Sequence, residues 1–303
     1  MQFNAEYFAV IGNSTLRMMA PLLFASLTAA ICSKAKVFNI SMEGTMTAGA
    51  FFSIVVNYYT HNVLLSVLAA VLSSVLFSAL VGFFTIRLKA SPVVVGLAAN
   101  SLITGLTSYL LYVIFQTKGV FSDPQLVSLT KLNLPVIRNI PILSTVLSNL
   151  TVIDYLSYFT AIGIYIFLYK TVIGFRIRAI GINPEAARSL GTPVERYQFL
   201  VISVSGVFTG LAGCLLSMGS VTLFIQNITS GRGYIAMAAN NLGRSHPLGV
   251  WVSSFFFGIC QALGNFLQNT SLKTQLTSSI PYAATILALI AFDIRKRINT
   301  KGN

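Results

Sequence analysis

Acidic residues are scarce in this chain. Seven Asp and Glu stand against twenty Lys and Arg in 303 residues, and charged residues of both signs make up only 9%. Soluble globular domains carry about a quarter charged residues, so that class is excluded. Histidine is limited to His61 and His246, neither with a carboxylate neighbour in sequence. The three cysteines, Cys32, Cys214 and Cys260, lie on apolar segments without metal-ligand spacing. They read as packing residues, with neither a disulfide framework nor a metal site. A G-x-x-x-x-G-K-[ST] phosphate loop, an H-E-x-x-H pair and a G-x-S-x-G elbow are all missing. No catalytic residue, metal or cofactor is therefore expected, and the chain carries no ATP-binding motif of its own.

What is abundant is oil. Hydrophobic residues make up 55% of the chain, in runs long enough to cross a bilayer. The net charge of +13 is not a nucleic-acid signature, because the basic residues sit in short segments between apolar runs: Lys34 and Lys36, Arg87 and Lys89, Lys170 to Arg196, Arg244, and Arg295 to Arg297. That is the positive-inside pattern, which orients a chain in the bilayer, with contacts to anionic headgroups as a weaker consequence. The first 24 residues lack a basic n-region and read as an interfacial segment leading into the first span rather than a signal peptide.

Segments of spanning length fall near 14–32, 44–60, 63–86, 92–116, 151–170, 198–219, a shorter glycine-interrupted 231–244, 247–268 and 280–294. The expectation is one all-α transmembrane domain over 1–303 with about eight to ten membrane helices. Placing Arg295–Arg297 inside and alternating back places Gly174–Arg196, Arg87/Lys89 and Lys34/Lys36 inside as well. The more polar stretch 117–150, with Asp123, Pro135 and Arg138, and the N-terminus then lie outside. Gly96, Gly105, Gly206, Gly210 and Gly213 let helix backbones approach closely. Gly206-x-x-x-Gly210 reads as internal packing. The echo of Ala98-Ala99-Asn100-Ser101-Leu102 in Ala238-Ala239-Asn240-Asn241-Leu242 is either an internal duplication or chance recurrence in Ala-rich sequence.

Two polar constellations interrupt the apolar runs. In Phe38-Asn-Ile-Ser-Met-Glu-Gly44, Asn39 is placed as a helix N-cap and Glu43 in the first turn, where the helix dipole favours an anion. Glu43 is open to two readings, a helix-start charge at the membrane edge or a functional intramembrane acid. The second constellation is Asn100, Asn240, Asn241, Gln261, Asn265 and Gln268, the last three at i, i+4, i+7 on one helix face. Such a stripe serves interhelical hydrogen bonds or a passage for a neutral solute.

The longest polar segment between spans, about 171–197, is basic and structured. Arg176, Arg178, Arg188 and Arg196 share it with Glu185 and Glu195, two of the seven acids. Asn183-Pro184-Glu185-Ala186-Ala187-Arg188 reads as a cap, a proline at the first helical position and a short helix, with Gly191 as its stop. A short arginine-rich surface helix between spans suits a docking element for a soluble partner.

Several of these motifs, in order, resemble the permease subunits of ABC importers for simple sugars and nucleosides, within the wider group of branched-chain amino acid and ribose permeases. Residues 38–44 resemble that family's NIGVEGQ segment, and Arg176 to Arg188 its coupling loop. Gly206 to Gly213 and Gly231 through Gly249 match later segments, so the likeness covers most of 38–268. The resemblance implies a permease fold with broken or re-entrant helices in the plasma membrane of a prokaryote. It implies two permease subunits, alike or different, two cytosolic ABC ATPases and an extracytoplasmic substrate-binding protein. The coupling set would be Arg176, Arg178, Asn183, Pro184, Glu185, Ala186, Ala187, Arg188 and Gly191. Asn39, Glu43, Asn100, Asn240, Asn241, Gln261 and Asn265 stand as candidates for the solute path. Ser41, Met42 and Thr45 depart from the motif, as do Asn240 and Asn241 at positions that are typically apolar. The expected function is transport of a nucleoside or simple sugar. Another polar solute such as an amino acid is the alternative, and an ion-coupled carrier a more distant one, since it needs mid-membrane ionisable groups and has only Glu43 and Asp154.

Overall fold

The expected all-α bundle is what the chain forms in the computed structural model, which describes residues 5–132, 141–219, 221–268 and 283. α1 (Ala5–Lys34) contains the expected first span. The interfacial segment expected ahead of residue 14 is part of the same continuous helix from Ala5 onward. α2 (Met42–Thr60), α3 (Val63–Gly82, prolonged by a π turn at Phe83–Arg87) and α4 (Pro92–Phe115, proline at its first turn) follow their expected spans closely. After the short α5 (Pro141–Leu147), α6 (Val152–Lys170) begins at a capping box, with the Thr151 hydroxyl accepting from Asp154 N while Thr151 N donates to the Asp154 carboxylate. α7 (Val172–Ile182) and α8 (Pro184–Ser189) lead into α9 (Val194–Met218), then α10 (Arg232–Leu242) and α11 (Pro247–Gln268). Among the described residues six helices are long and apolar enough to cross a membrane: α1, α3, α4, α6, α9 and α11. The expected span 280–294 and the basic cluster Arg295–Arg297 lie outside the described residues, as do Pro135 and Arg138.

The expected span 231–244 is corrected. α10 has 11 residues, about 16 Å at 1.5 Å per residue, roughly half of the ~30 Å hydrocarbon core. Residues 226–231 ahead of this half-helix form turns. The turn around Gly231, at φ 75°, stops the helix from starting earlier. α2 is likewise preceded by a non-helical stretch, and the N-termini of α2 and α10 meet in the interior.

α9 is the spine on which the bundle is assembled. A Cβ at Gly206 would lie 2.6 Å from the Ser74 carbonyl of α3, and one at Gly210 2.6 Å from the Ala70 carbonyl. Across the same helix, Gly49 of α2 lies so close that its Cβ would come within 2.9 Å of Gly210 Cα. The Gly206–Gly210 pair thus packs helices inside one chain, as its spacing suggested. Phe24, Phe51, Phe224 and Phe257 fill the adjoining core, with Phe51 edge-on to Phe224 at 5.1 Å.

The two ends of the bundle differ. At one, strand β1 (Val120–Phe121) pairs antiparallel with β4 (Phe224–Ile225), and β2 (Lys131–Leu132) with β3 (Leu150–Thr151). Asn57 of α2 clasps this layer, donating to the Val127 carbonyl at 2.7 Å and accepting from Val127 N at 2.9 Å. The other end collects Ala35, whose carbonyl accepts from Gln198 Nε2 at 3.1 Å, and the α7–α8 segment. His246 joins it beside Tyr165 and Tyr169 of α6. The described residues of 117–150 and the segment 171–197 therefore sit at opposite ends of the bundle.

Replacing Gly210 with Val is expected to drive a side chain into the α3 backbone and cost about 1–3 kcal/mol. The check is the melting temperature of detergent-purified protein, compared with Gly105→Ala, where a Cβ meets nothing within 4 Å. Equal melting of the two variants would remove the close crossing as an explanation.

Candidate functional site

The polar segment 171–197 is a helical hairpin rather than a loop. The Thr171 side chain accepts from Gly174 N at 3.1 Å and starts α7, a helix the sequence reading missed. A threonine cap ahead of Ile177 and Ile180, three residues apart and both buried, was the available signal. Asn183 Oδ1 then accepts from Glu185 N and Ala186 N at 3.1 and 3.2 Å, and Pro184 opens α8, as expected from the sequence. Gly191, at φ 78°, closes it, with Gly191 N donating to the Arg188 carbonyl at 2.9 Å. Ala187 turns inward against Ile180, Val194 and Tyr197. On the outer face, Arg188 donates to both Glu185 oxygens at 2.9 and 3.0 Å and pairs with Glu195 at the start of α9. Donation to Glu195, then to Glu185, holds the Arg188 guanidinium above its ordinary pKa. One arginine thus staples α8 to α9.

The other expected docking residues divide. Arg176 donates to the Tyr197 hydroxyl at 2.8 Å and stays exposed. Arg178 turns toward the bundle, donating to the Leu168 carbonyl at 2.9 Å and lying 4.6 Å from the Tyr169 ring centre. What sequence reading missed are the two apolar residues that bracket α8. Ile182 is 84% exposed and Leu190 86% exposed. Their neighbours are polar, so periodicity assigned them no face.

In the interior, the meeting of α2 and α10 is organised by Glu43. Its carboxylate accepts from the Thr229 hydroxyl at 2.5 Å, from Gly231 N at 2.7 Å and from Gly233 N at 2.7 Å. A Cβ at Gly233 would fall 2.7 Å from Glu43 N, so glycine is required for this approach. Asn100 of α4 completes the junction: Oδ1 accepts from Gly44 N at 2.8 Å, while Nδ2 donates to the Ile40 carbonyl and the Tyr234 hydroxyl at 3.1 and 3.2 Å. Asn39 is not the N-cap of α2. That position belongs to Ser41, and Asn39 Oδ1 accepts from Ser41 N and Ser41 Oγ at 3.0 and 2.7 Å. Asn39 therefore fixes the stretch before the helix, because the chain stays non-helical for two residues longer than its capping propensity suggested.

The remaining path candidates do not join this cluster. Asn240 Nδ2 donates to Ser33 Oγ at 3.1 Å near the end of α1, and its Oδ1 has no partner among the described residues. Gln261 is 6% exposed and neither amide atom finds a partner among the described residues. Asn265, one turn on, is exposed, with Nδ2 3.7 Å from Met18 Sδ. Asn241 is exposed too, and shares a stripe of α10 with Tyr234 and the half-buried Met237. Thr104 and Ser108 on α4 and Gln226, whose Nε2 donates to Ser108 Oγ at 2.9 Å, extend a wall that is polar and aromatic. No three His, Cys, Asp or Glu side chains cluster as a metal site among the described residues.

The family of the permease component of branched-chain amino acid transport systems matches residues 13–289. This chain belongs to that family. The permease is 30% identical to the nucleoside ABC transporter permease protein NupC of Lactococcus lactis, over 93% of this chain and 92% of NupC. It is 31% identical to the guanosine ABC transporter permease protein NupQ of Bacillus subtilis, over 95% and 93%. Among solved structures, a chain from an inward-facing ABC transporter described as metal-chelate type shares the fold at a TM-score of 0.57. It has 15% identity and coverage of 96% and 90%. The resemblance read from the motifs is thereby borne out, and the protein is a multi-pass permease of a prokaryotic membrane.

Replacing Glu43 with Gln in the permease would turn an amide N–H₂ toward backbone N–H donors. The expected cost is about 1–3 kcal/mol, read as a lower melting temperature in detergent, with Glu43→Asp milder. An unchanged melting temperature would show that the carboxylate does not hold the junction.

Proposed function

We propose that this permease forms the translocation path of an ATP-driven importer for a nucleoside or a simple sugar. The observation that carries the substrate class is the pair of relatives named for nucleoside and guanosine transport, each matched over more than nine-tenths of both chains. A second permease subunit, two cytosolic ABC ATPases and an extracytoplasmic binding protein complete the assembly, and ATP hydrolysis belongs to the separate ATPase. The basic end of the bundle faces the cytosol, and the layer of short strands faces out.

Coupling is assigned to α8. A rigid, exposed six-residue helix, stapled by Arg188 and flanked by the apolar Ile182 and Leu190, suits insertion into a cleft of the ATPase. Closure of the ATPases then moves the hairpin as one piece and switches the path between its inward- and outward-facing states. The solute meets the wall of Tyr234, Asn241, Ser108 and Gln226, where an aromatic ring and neutral hydrogen-bonding groups suit a base or a sugar. An ion-coupled carrier is disfavoured because Glu43 and Asp154 spend their carboxylates on protein donors.

Leu190→Asp, alone and with Ile182→Asp, is expected to lower both ATPase co-purification and solute uptake by about tenfold or more. Full retention of both would sink the coupling assignment. For the solute, uptake of labelled guanosine is expected to be competed by other nucleosides and to fall in Tyr234→Ala. Competition by amino acids in place of nucleosides would replace the substrate class.

A further inference from the structure

A cavity of about 820 Å³ opens at the basic end of the bundle, walled by α6, α7 and α9 with Ile31 of α1 at its base. Ile164, Phe167, Ile177, Val204 and Phe208 make its lining apolar. Of its polar residues, Thr160 spends its hydroxyl on the Leu156 carbonyl of its own helix at 2.6 Å. Tyr197 holds the Arg176 guanidinium at the mouth. Arg196 stands beside it, exposed, and its guanidinium makes no ion pair or hydrogen bond among the described residues. Glu195 is adjacent in sequence, but its carboxylate is taken by Arg188. The cavity therefore joins an oily slot to two unneutralised guanidinium groups.

We propose that this groove holds an anionic phospholipid, its acyl chain in the slot and its phosphodiester at Arg196 and Arg176. The dimensions agree. From Arg196 to Phe208 along α9 is about 18 Å at 1.5 Å per residue, close to the ~15 Å of one leaflet of hydrocarbon. The charge agrees as well, since planar guanidinium groups recognise phosphate through paired donors. A second copy of this chain fits worse. It would have to set an acid against Arg196 where Glu43, Asp154, Glu185 and Glu195 are already engaged within the protomer, and the cross-linking arm of the test below decides it. A nucleoside or sugar fits worse still against so apolar a lining. Only the leaflet, the cytosolic one, rests on the orientation proposed above.

The groove can be filled without disturbing the walls, because a Cβ at Gly163 on α6 would meet nothing within 4 Å. The test is native mass spectrometry of the full-length permease in its assembled transporter, delipidated and then offered phosphatidylglycerol or phosphatidylcholine. The unaltered protein is expected to retain phosphatidylglycerol about tenfold better. Gly163→Trp should lose both lipids, and Arg196→Gln only the preference for the anionic one. Equal retention of the two lipids by the unaltered protein would overturn the headgroup assignment. Undiminished retention in Gly163→Trp would overturn the groove. Photo-cross-linking to a neighbouring subunit in native membranes, from a benzophenone attached at Gly163→Cys, would show a protein in place of the lipid, and would likewise overturn it. Lipid retention is read without ATP or solute, so its failure leaves the transport assignment standing, and failure of uptake leaves the lipid site standing.

Discussion

The arrangement of the whole bundle depends on what happens where two helices begin in its buried interior. The first N–H groups of a helix have no partner within it, and the bilayer interior offers no water to replace one. Two such termini facing each other also bring two positive dipole ends together. Glu43 resolves both problems with one carboxylate, carried by α2 and bonded to the backbone of Gly231 and Gly233 at the start of α10. Asn100 does the same for Gly44 from a third helix. These acceptors satisfy the backbone donors that the two helix starts would otherwise bury without a partner.

The remaining architecture brings those breaks to one place. α9 can lie against α2 and α3 only because Gly206, Gly210 and Gly49 remove the side chains that would hold the backbones apart. That contact places α2 at a defined height, and so places Glu43 opposite α10. The same junction carries Tyr234, whose hydroxyl accepts from Asn100 while the residue stays exposed on the polar wall. Interior clamp and accessible surface are therefore parts of one unit, and a shift in α10 moves both.

At the basic end, rigidity has a different origin. Asn183, Gly191 and the double pairing of Arg188 are local in sequence and lie in water, where each contributes modestly. Their effect is geometric. They keep a six-residue helix, too short to persist alone, in a fixed pose with Ile182 and Leu190 at its two ends.

How much of this was legible follows from the range of each interaction. The six long apolar helices, the cap at Asn183, the proline starts at Pro92 and Pro184 and the internal packing of Gly206 and Gly210 are governed by local propensity and hydrophobic period. All of them could be read in the chain. α7 was obscured because four of its eleven residues, Gly174, Arg176, Arg178 and Gly181, are glycine or arginine in a segment read as polar. The half-length of α10 was obscured because hydropathy measures composition and cannot show where a helix begins. Asn39 looked like a cap and Glu43 like one of two things, since the residues that settle each, Ser41 in its actual conformation and Gly231 with Gly233, act through backbone geometry. Sequence alone thus determined the class, the long apolar helices and the capped α8 of the polar segment, because solvent partitioning and turn chemistry act on neighbouring residues. Tertiary structure decided which polar groups are consumed and which remain accessible, because a buried carboxylate takes the donors that distant segments bring to it.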